Sequence, residues 1–128
     1  MKLNHTKIFL IKGNNSLTVK LIKKMINKEN KYQLKIISRE EIELLTDNHE
    51  DEIMILDLTD SSINYEAELQ GLLLKLRNRK IIAVTIDFDN KLSKKLIDLG
   101  VQKVINLWSD SYTKIIEDLE LHDSCDKL

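Results

Sequence analysis

The chain has 128 residues, 42% of them hydrophobic and 32% charged, with a formal net charge of −1. That length fits one domain with one core, and the mix excludes a disordered or collagen-like chain. The balanced charge gives no bulk pull toward nucleic acid or an anionic membrane, so neither is an expected partner.

Proline is absent and glycine occurs three times, so no flexible linker divides the chain. Cys125 is the single cysteine, and the histidines His5, His49 and His122 are scattered. No disulfide framework and no metal-ligand spacing follows, and a reducing, cytoplasmic setting is expected. Met1 to His5 leads into no long apolar run, and no apolar stretch approaches the roughly 20 residues of a membrane span, so neither a signal peptide nor a transmembrane helix is expected.

In chain order, Ile8-Phe9-Leu10-Ile11 is the first of five short apolar runs rich in β-branched residues. A helical stripe of Leu17, Leu21, Ile22 and Met25 follows, with Lys20, Lys23, Lys24, Lys28 and Lys31 on a solvated face and exit. After the run Leu34-Lys35-Ile36-Ile37, Ser38 and Glu41 give a capping-box start to a short helix near Glu40 to Thr46. The third run, Ile53-Met54-Ile55-Leu56, precedes a helix whose Leu69, Leu72, Leu73 and Leu76 fit i, i+3, i+4, i+7. Lys75, Arg77, Arg79 and Lys80 lie at its end, where cations complement the helix dipole. The fourth run, Ile81 to Ile86, is followed by Asp87 and Asp89 as turn and N-cap residues for a helix with Leu92, Leu96 and Leu99, which Gly100 stops. The fifth run, Val104-Ile105-Asn106-Leu107, leads to a last helix with Tyr112, Ile115, Ile116 and Leu119. Residues 1–121 form the expected domain and 122–128 a polar C-terminal tail.

Nearly continuous apolar strands are buried on both faces, which is the habit of parallel sheets. Five such strands alternating with five helices predict an α/β three-layer sandwich of flavodoxin-like topology, with strand order 2-1-3-4-5. The crevice of that arrangement lies past the C-terminal ends of strands 1 and 3, at Lys12-Gly13-Asn14-Asn15 and Asp57-Leu58-Thr59-Asp60.

From about residue 7 to 121 the chain resembles the CheY-like receiver domains of bacterial two-component response regulators. Ile53-Met54-Ile55-Leu56-Asp57-Leu58 is similar to the family's third strand, which ends in the phosphate-accepting aspartate. Asp57 matches that aspartate, Thr85 matches the hydroxyl residue that contacts the phosphoryl group, and Gly100 matches the junction before strand 5. The departures are as informative. Where receivers carry an acidic pair that binds Mg²⁺, this chain has Lys12 and Gly13, then Asn14. Where they carry a lysine after strand 5, it has Leu107 and Trp108, or Asn106 on a one-residue shift, and the aromatic switch position falls at Val104.

Phosphoryl transfer needs positioned charge neutralisation, most of it supplied by the metal. With Asp57 the one candidate carboxylate and a cation at Lys12, no metal or other cofactor is expected. Lys12 is expected to reach Asp57 and hold the loop in one state without phosphate. Asp57, Thr85 and Lys12 thus form a vestigial or candidate phosphoacceptor site. Trp108 and Tyr112 are the candidate interface, on the face of the fourth helix, fifth strand and fifth helix that the resemblance associates with dimerisation; for Tyr112 a place in the core stripe is the competing reading.

Three functions stand on these residues. The first is a non-catalytic, receiver-like signalling module that binds a protein partner or itself, independently of phosphorylation. The second is an active receiver phosphorylated on Asp57 with an atypical metal shell. The third is a flavodoxin-like domain holding a nucleotide or small anion at Lys12 and the amides of Gly13 to Asn15.

Overall fold

A computed structural model of the chain describes residues 6–29, 31–45, 52–60, 66–76 and 79–126. Met1 to His5, Thr46, His49, Arg77, residues 127–128 and the side chains of His122 and Cys125 lie outside the described residues. Five strands, β1 (Thr6–Ile11), β2 (Tyr32–Ile37), β3 (Glu52–Leu58), β4 (Lys80–Thr85) and β5 (Lys103–Asn106), alternate with α1 (Ser16–Asn27), a 3₁₀ helix (Glu40–Leu44), α2 (Glu66–Lys75), α3 (Lys91–Asp98) and α4 (Thr113–Asp126). The strands make one parallel sheet in the order β2-β1-β3-β4-β5, as expected. Its register pairs Leu10 with both Ile36 and Ile55, and Leu58 with Thr85. The expected fourth and fifth helices are therefore α3 and α4, because the second element is a single 3₁₀ segment. Its capping box forms: the Ser38 amide donates to Glu41 Oε1 (3.0 Å) and the Glu41 amide to Ser38 Oγ (3.4 Å).

The central strand β3 is buried along its whole length, which explains its unbroken apolar run. Its residues alternate between two cores. Met54, Leu56 and Leu58 join Leu69, Leu72, Leu73, Leu76 and Leu96 on one face of the sheet. Ile53 and Ile55 join Ile22, Ile26, Ile115 and Leu119 on the other. Two strand ends differ from expectation: β4 stops at Thr85, leaving Ile86 exposed, and β5 stops at Asn106.

The buried line of α1 also differs. Leu17 and Leu21 are exposed, and Thr18, Ile22 and Ile26 face the sheet at i, i+4, i+8. Apolarity alone favoured the leucines. The helix instead turns so that Thr18 meets the polar strand ends, where its hydroxyl has partners. The C-terminus of α3 closes as expected: Gly100 has φ +99°, its amide donates to Ile97 O, and the Val101 amide donates to Leu96 O. This pairing is a Schellman motif, with buried Val101 and Leu96 in one core.

At the opposite end of the sheet from the crevice, Arg79 Nη1 lies 2.8 Å from Glu52 Oε1, with both side chains nearly sealed from solvent. Removing one partner of a buried pair strands the other charge. Arg79→Met is expected to lower stability by about 3 kcal/mol. Urea denaturation should show the loss, and a Glu52→Leu change in the same chain should return much of it.

Candidate functional site

The crevice is built by the loops that leave β1, β3, β4 and β5. Asp57, the penultimate residue of β3, is completely buried. Its Oδ1 accepts from the Thr59 amide (3.0 Å) and from the Thr59 hydroxyl (2.6 Å). Its Oδ2 is sealed and has no hydrogen-bond partner among the described residues. Burial pushes the Asp57 carboxyl above the ordinary carboxylate value, the two Thr59 bonds pull it back, and the negative charge of Asp60 pushes it up again. The Gly13 amide lowers it a little more without making a hydrogen bond to Oδ2.

Lys12 does not supply the missing countercharge. It is exposed, and its charge acts on Glu41 instead. Among the described residues no cation pairs with Asp57. The expected Lys12–Asp57 pair is therefore not formed, for a simple steric reason. The carboxylate lies beneath the loop that carries Lys12, and a lysine on the rim keeps its ammonium in water.

The group that enters the crevice is Asp60, to which sequence reasoning assigned no role. Its Oδ2 accepts from the Asn14 amide, and its Oδ1 lies 3.7 Å from Arg39 Nη2. A Cβ on residue 13 would stand 2.7 Å from Asp60 Oδ2 and 3.2 Å from the Asp57 carbonyl oxygen. Gly13 is thus what admits the carboxylate. The loop after β1 offers no carboxylate of its own from Lys12 to Asn15, and one from the loop after β3 lies against its backbone. Asn14 and Asp60 are 46 residues apart, so only the β1–β3 register brings them together. Asp60 also occupies the Asn14 amide that an external anion would have used.

Thr85 is completely buried, and its hydroxyl lies 3.4 Å from Ser93 Oγ on α3. At the end of β5, Asn106 uses its whole amide. Its Nδ2 donates to Asp87 O (2.6 Å) and Asn90 Oδ1 (2.8 Å), and its Oδ1 accepts from the Asp87 and Trp108 amides (2.9 and 3.1 Å). Asn106 therefore ties the loop after β4 to the loop after β5. Asp87 and Asp89 bond the first amides of α3, although the N-cap position itself falls on Asn90: Asp87 Oδ2 accepts from the Leu92 and Ser93 amides, and Asp89 Oδ1 from the Lys91 amide.

Trp108 is 61% exposed and meets Phe88, 77% exposed, edge to face with centroids 5.2 Å apart. The two rings form an exposed apolar lip on the loops after β4 and β5. Tyr112 packs against the α1–α4 side core, and its hydroxyl lies 3.5 Å from Thr18 Oγ1. The structure thus separates the two expected interface residues: Trp108 faces solvent and Tyr112 turns inward.

The fold family implies a divalent metal at such a crevice. The described residues do not fit one. No group of three or more His, Cys, Asp or Glu side chains able to hold a metal occurs among the described residues. Asp60 is engaged by Asn14 and Arg39, and the remaining oxygen, Asp57 Oδ2, has no solvent access. A magnesium ion that keeps several of its waters cannot reach it.

No protein-family model matches the chain, and no curated protein does. Solved structures do. A response regulator CheY-like protein from Mesorhizobium loti superposes with a TM-score of 0.70 at 10% identity, over 93% of this chain and 99% of that one. The phosphorylated cyanobacterial phytochrome response regulator RcpA gives 0.60 at 14% identity, over 88% and 87%. A CpaE2 pilus assembly protein from Sinorhizobium meliloti gives 0.58 at 16% identity, over 89% and 97%. At these identities the likeness is one of architecture: the chain has the CheY-like receiver fold.

A carboxyl whose proton is held more tightly folded than unfolded loses stability for the fold as pH rises through its raised folded value. Ionisation of the half-bonded Asp57 as pH rises therefore weakens the native state. Asp57→Asn is expected to raise stability at pH 7 by about 1 kcal/mol or more. It should also flatten the decline in stability between acid and neutral pH. Urea midpoints measured across that range check both effects.

Proposed function

We propose that the chain is a receiver-like signalling module that acts by binding a protein partner or a second copy of itself, without phosphorylation and without catalysing a reaction. The observation that carries this reading is the environment of Asp57. A nucleophile for phosphoryl transfer needs an open approach and neutralising charge at its oxygens. Asp57 has no solvent exposure and no cation beside it among the described residues, and the charge that acts on it in the crevice is another carboxylate, Asp60. The other receiver positions are committed elsewhere, Thr85 to Ser93 and Asn106 to the loops on either side.

The binding surface in this reading includes the Phe88–Trp108 lip. Two large exposed rings anchored by the Asn106 latch are the kind of rigid aromatic contact that carries interface energy. The adjoining α3/β5/α4 face is the candidate for self-association. No helix among the described residues is long and apolar enough to cross a membrane, and a single cysteine suits the reducing cytoplasm.

A working receiver is the second reading, favoured by the position of Asp57 at the end of β3 in a fold shared with a phosphorylated response regulator. Incubation with acetyl phosphate and Mg²⁺, followed by intact-mass measurement, separates the two. An unchanged mass is the expected result. An added phosphoryl group that disappears in Asp57→Asn would establish the second reading instead.

A further inference from the structure

Around Asp57 the polar side chains form a line that leaves the crevice sideways. Thr59 Oγ1, 2.6 Å from Asp57 Oδ1, is also 3.0 Å from Thr18 Oγ1 and accepts from Asn15 Nδ2 at 3.1 Å. Thr18 Oγ1 in turn lies 3.5 Å from Tyr112 Oη. The line joins β3 to the N-terminus of α1 and then to the residue that precedes α4. Thr18 is buried (1% exposed), and its hydroxyl is spent on Thr59 and Tyr112.

Proton counting gives the line a direction. An ionised carboxylate only accepts, so the single Thr59 hydroxyl proton goes to Asp57. Both Thr59 lone pairs then accept, one from Asn15 and one from the Thr18 hydroxyl. Thr18, having given its proton to Thr59, accepts from Tyr112. Each bond is polarised by the one before it, and the source is a charge in a dry site, where such bonds are strongest. Neutralising Asp57 removes the source. The Thr59 hydroxyl becomes a poorer acceptor, and the effect passes to the loosest link, Thr18 to Tyr112.

We infer that the charge state of Asp57 is transmitted through Thr59 and Thr18 to Tyr112, so that the α1–α4 side of the domain, rather than the α3/β5 side, reports the condition of the crevice. The α3/β5 side is held apart from Asp57: Thr85 is turned to Ser93, position 104 is Val104, and Asn106 is fully bonded to its own loops. The titratable or charged groups around the line are few. Asp60 flanks Asp57 from the same loop and Lys12 lies on the rim after β1. Asp87 after β4 is bonded to α3 amides, the first turn of α1 carries no acid, and α4 carries the buried Asp118 and the exposed Lys114–Glu117 pair. The inference deepens the signalling reading and rests on it only in taking the domain as one whose surface a partner reads.

The test compares backbone amide spectra of the ¹⁵N-labelled full chain at neutral pH. Asp57→Asn is expected to shift the resonances from Tyr112 to Ile116. In a Thr18→Val background the same change should leave that stretch in place while still shifting the loop around Thr59. Tyr112→Phe, which keeps the ring and removes the hydroxyl, serves as the second cut and covers a failure of Thr18→Val to fold. Shifts in α4 that persist with the line cut, or that never occur in Asp57→Asn, overturn the inference. A phosphoryl adduct on Asp57 would overturn the phosphorylation-independent reading and leave this spectral test intact, so the two failures are distinguishable.

Discussion

The structure turns on one carboxylate that is buried and only half satisfied. Asp57 accepts both Thr59 donors at one oxygen, and its other oxygen has no hydrogen bond among the described residues. A charge in that position disfavours itself, because burial penalises the ionised form and a second carboxylate lies nearby. What surrounds it follows from this conflict. Thr59 is held by Asn15 and Thr18, and Asp60 is kept off Asp57 by the Asn14 amide and Arg39.

The crevice is therefore a self-contained arrangement. In an open phosphoacceptor site, neutralisation comes from a metal and a mobile lysine, and the oxygens wait for a ligand. Here the Asn14 amide and the Arg39 guanidinium go to Asp60, a side chain of the same chain. The loop that would carry the acidic pair has a glycine at the one place where space is needed, and an aspartate from the neighbouring loop fills it. The same economy holds at β5. Asn106 offers two donors and an acceptor, and it spends them joining two loops rather than reaching into the crevice. That latch also fixes the base of Trp108, whose ring remains in solvent against Phe88.

A polar line through Thr18 and Tyr112 gives α1 and α4 a connection to Asp57 that does not depend on the positions receivers use. Helix α1 shows the consequence in its packing. Two leucines that fit a core stripe lie outside, because the turn that seats Thr18 on Thr59 rotates them away. Packing of the apolar stripe and bonding of the polar end made different demands on one helix, and Ile22 and Ile26 satisfied the core in either case.

Much of the architecture was legible in the amino acids. Five β-branched runs without polar alternation require strands covered on both faces, and the right-handed crossover rule then leaves few sheet orders. The capping box at Ser38 and Glu41, the Gly100 stop and the Asp87 bonds to the first amides of α3 were local signals, set by residues a few positions apart, and each formed. The position of Asp57 at a strand end was legible for the same reason. What only tertiary structure decided were the long-range partners. Lys12 is near Asp57 in topology, yet a flexible ammonium on a rim gains more from water than from a carboxylate it must be buried to reach. Asp60 meets Asn14 across 46 residues of chain, and Thr18 meets Tyr112 across 94. Side-chain hydrogen bonds over such separations leave no periodicity in a sequence, because their geometry exists only once the parallel register has placed the strand ends side by side.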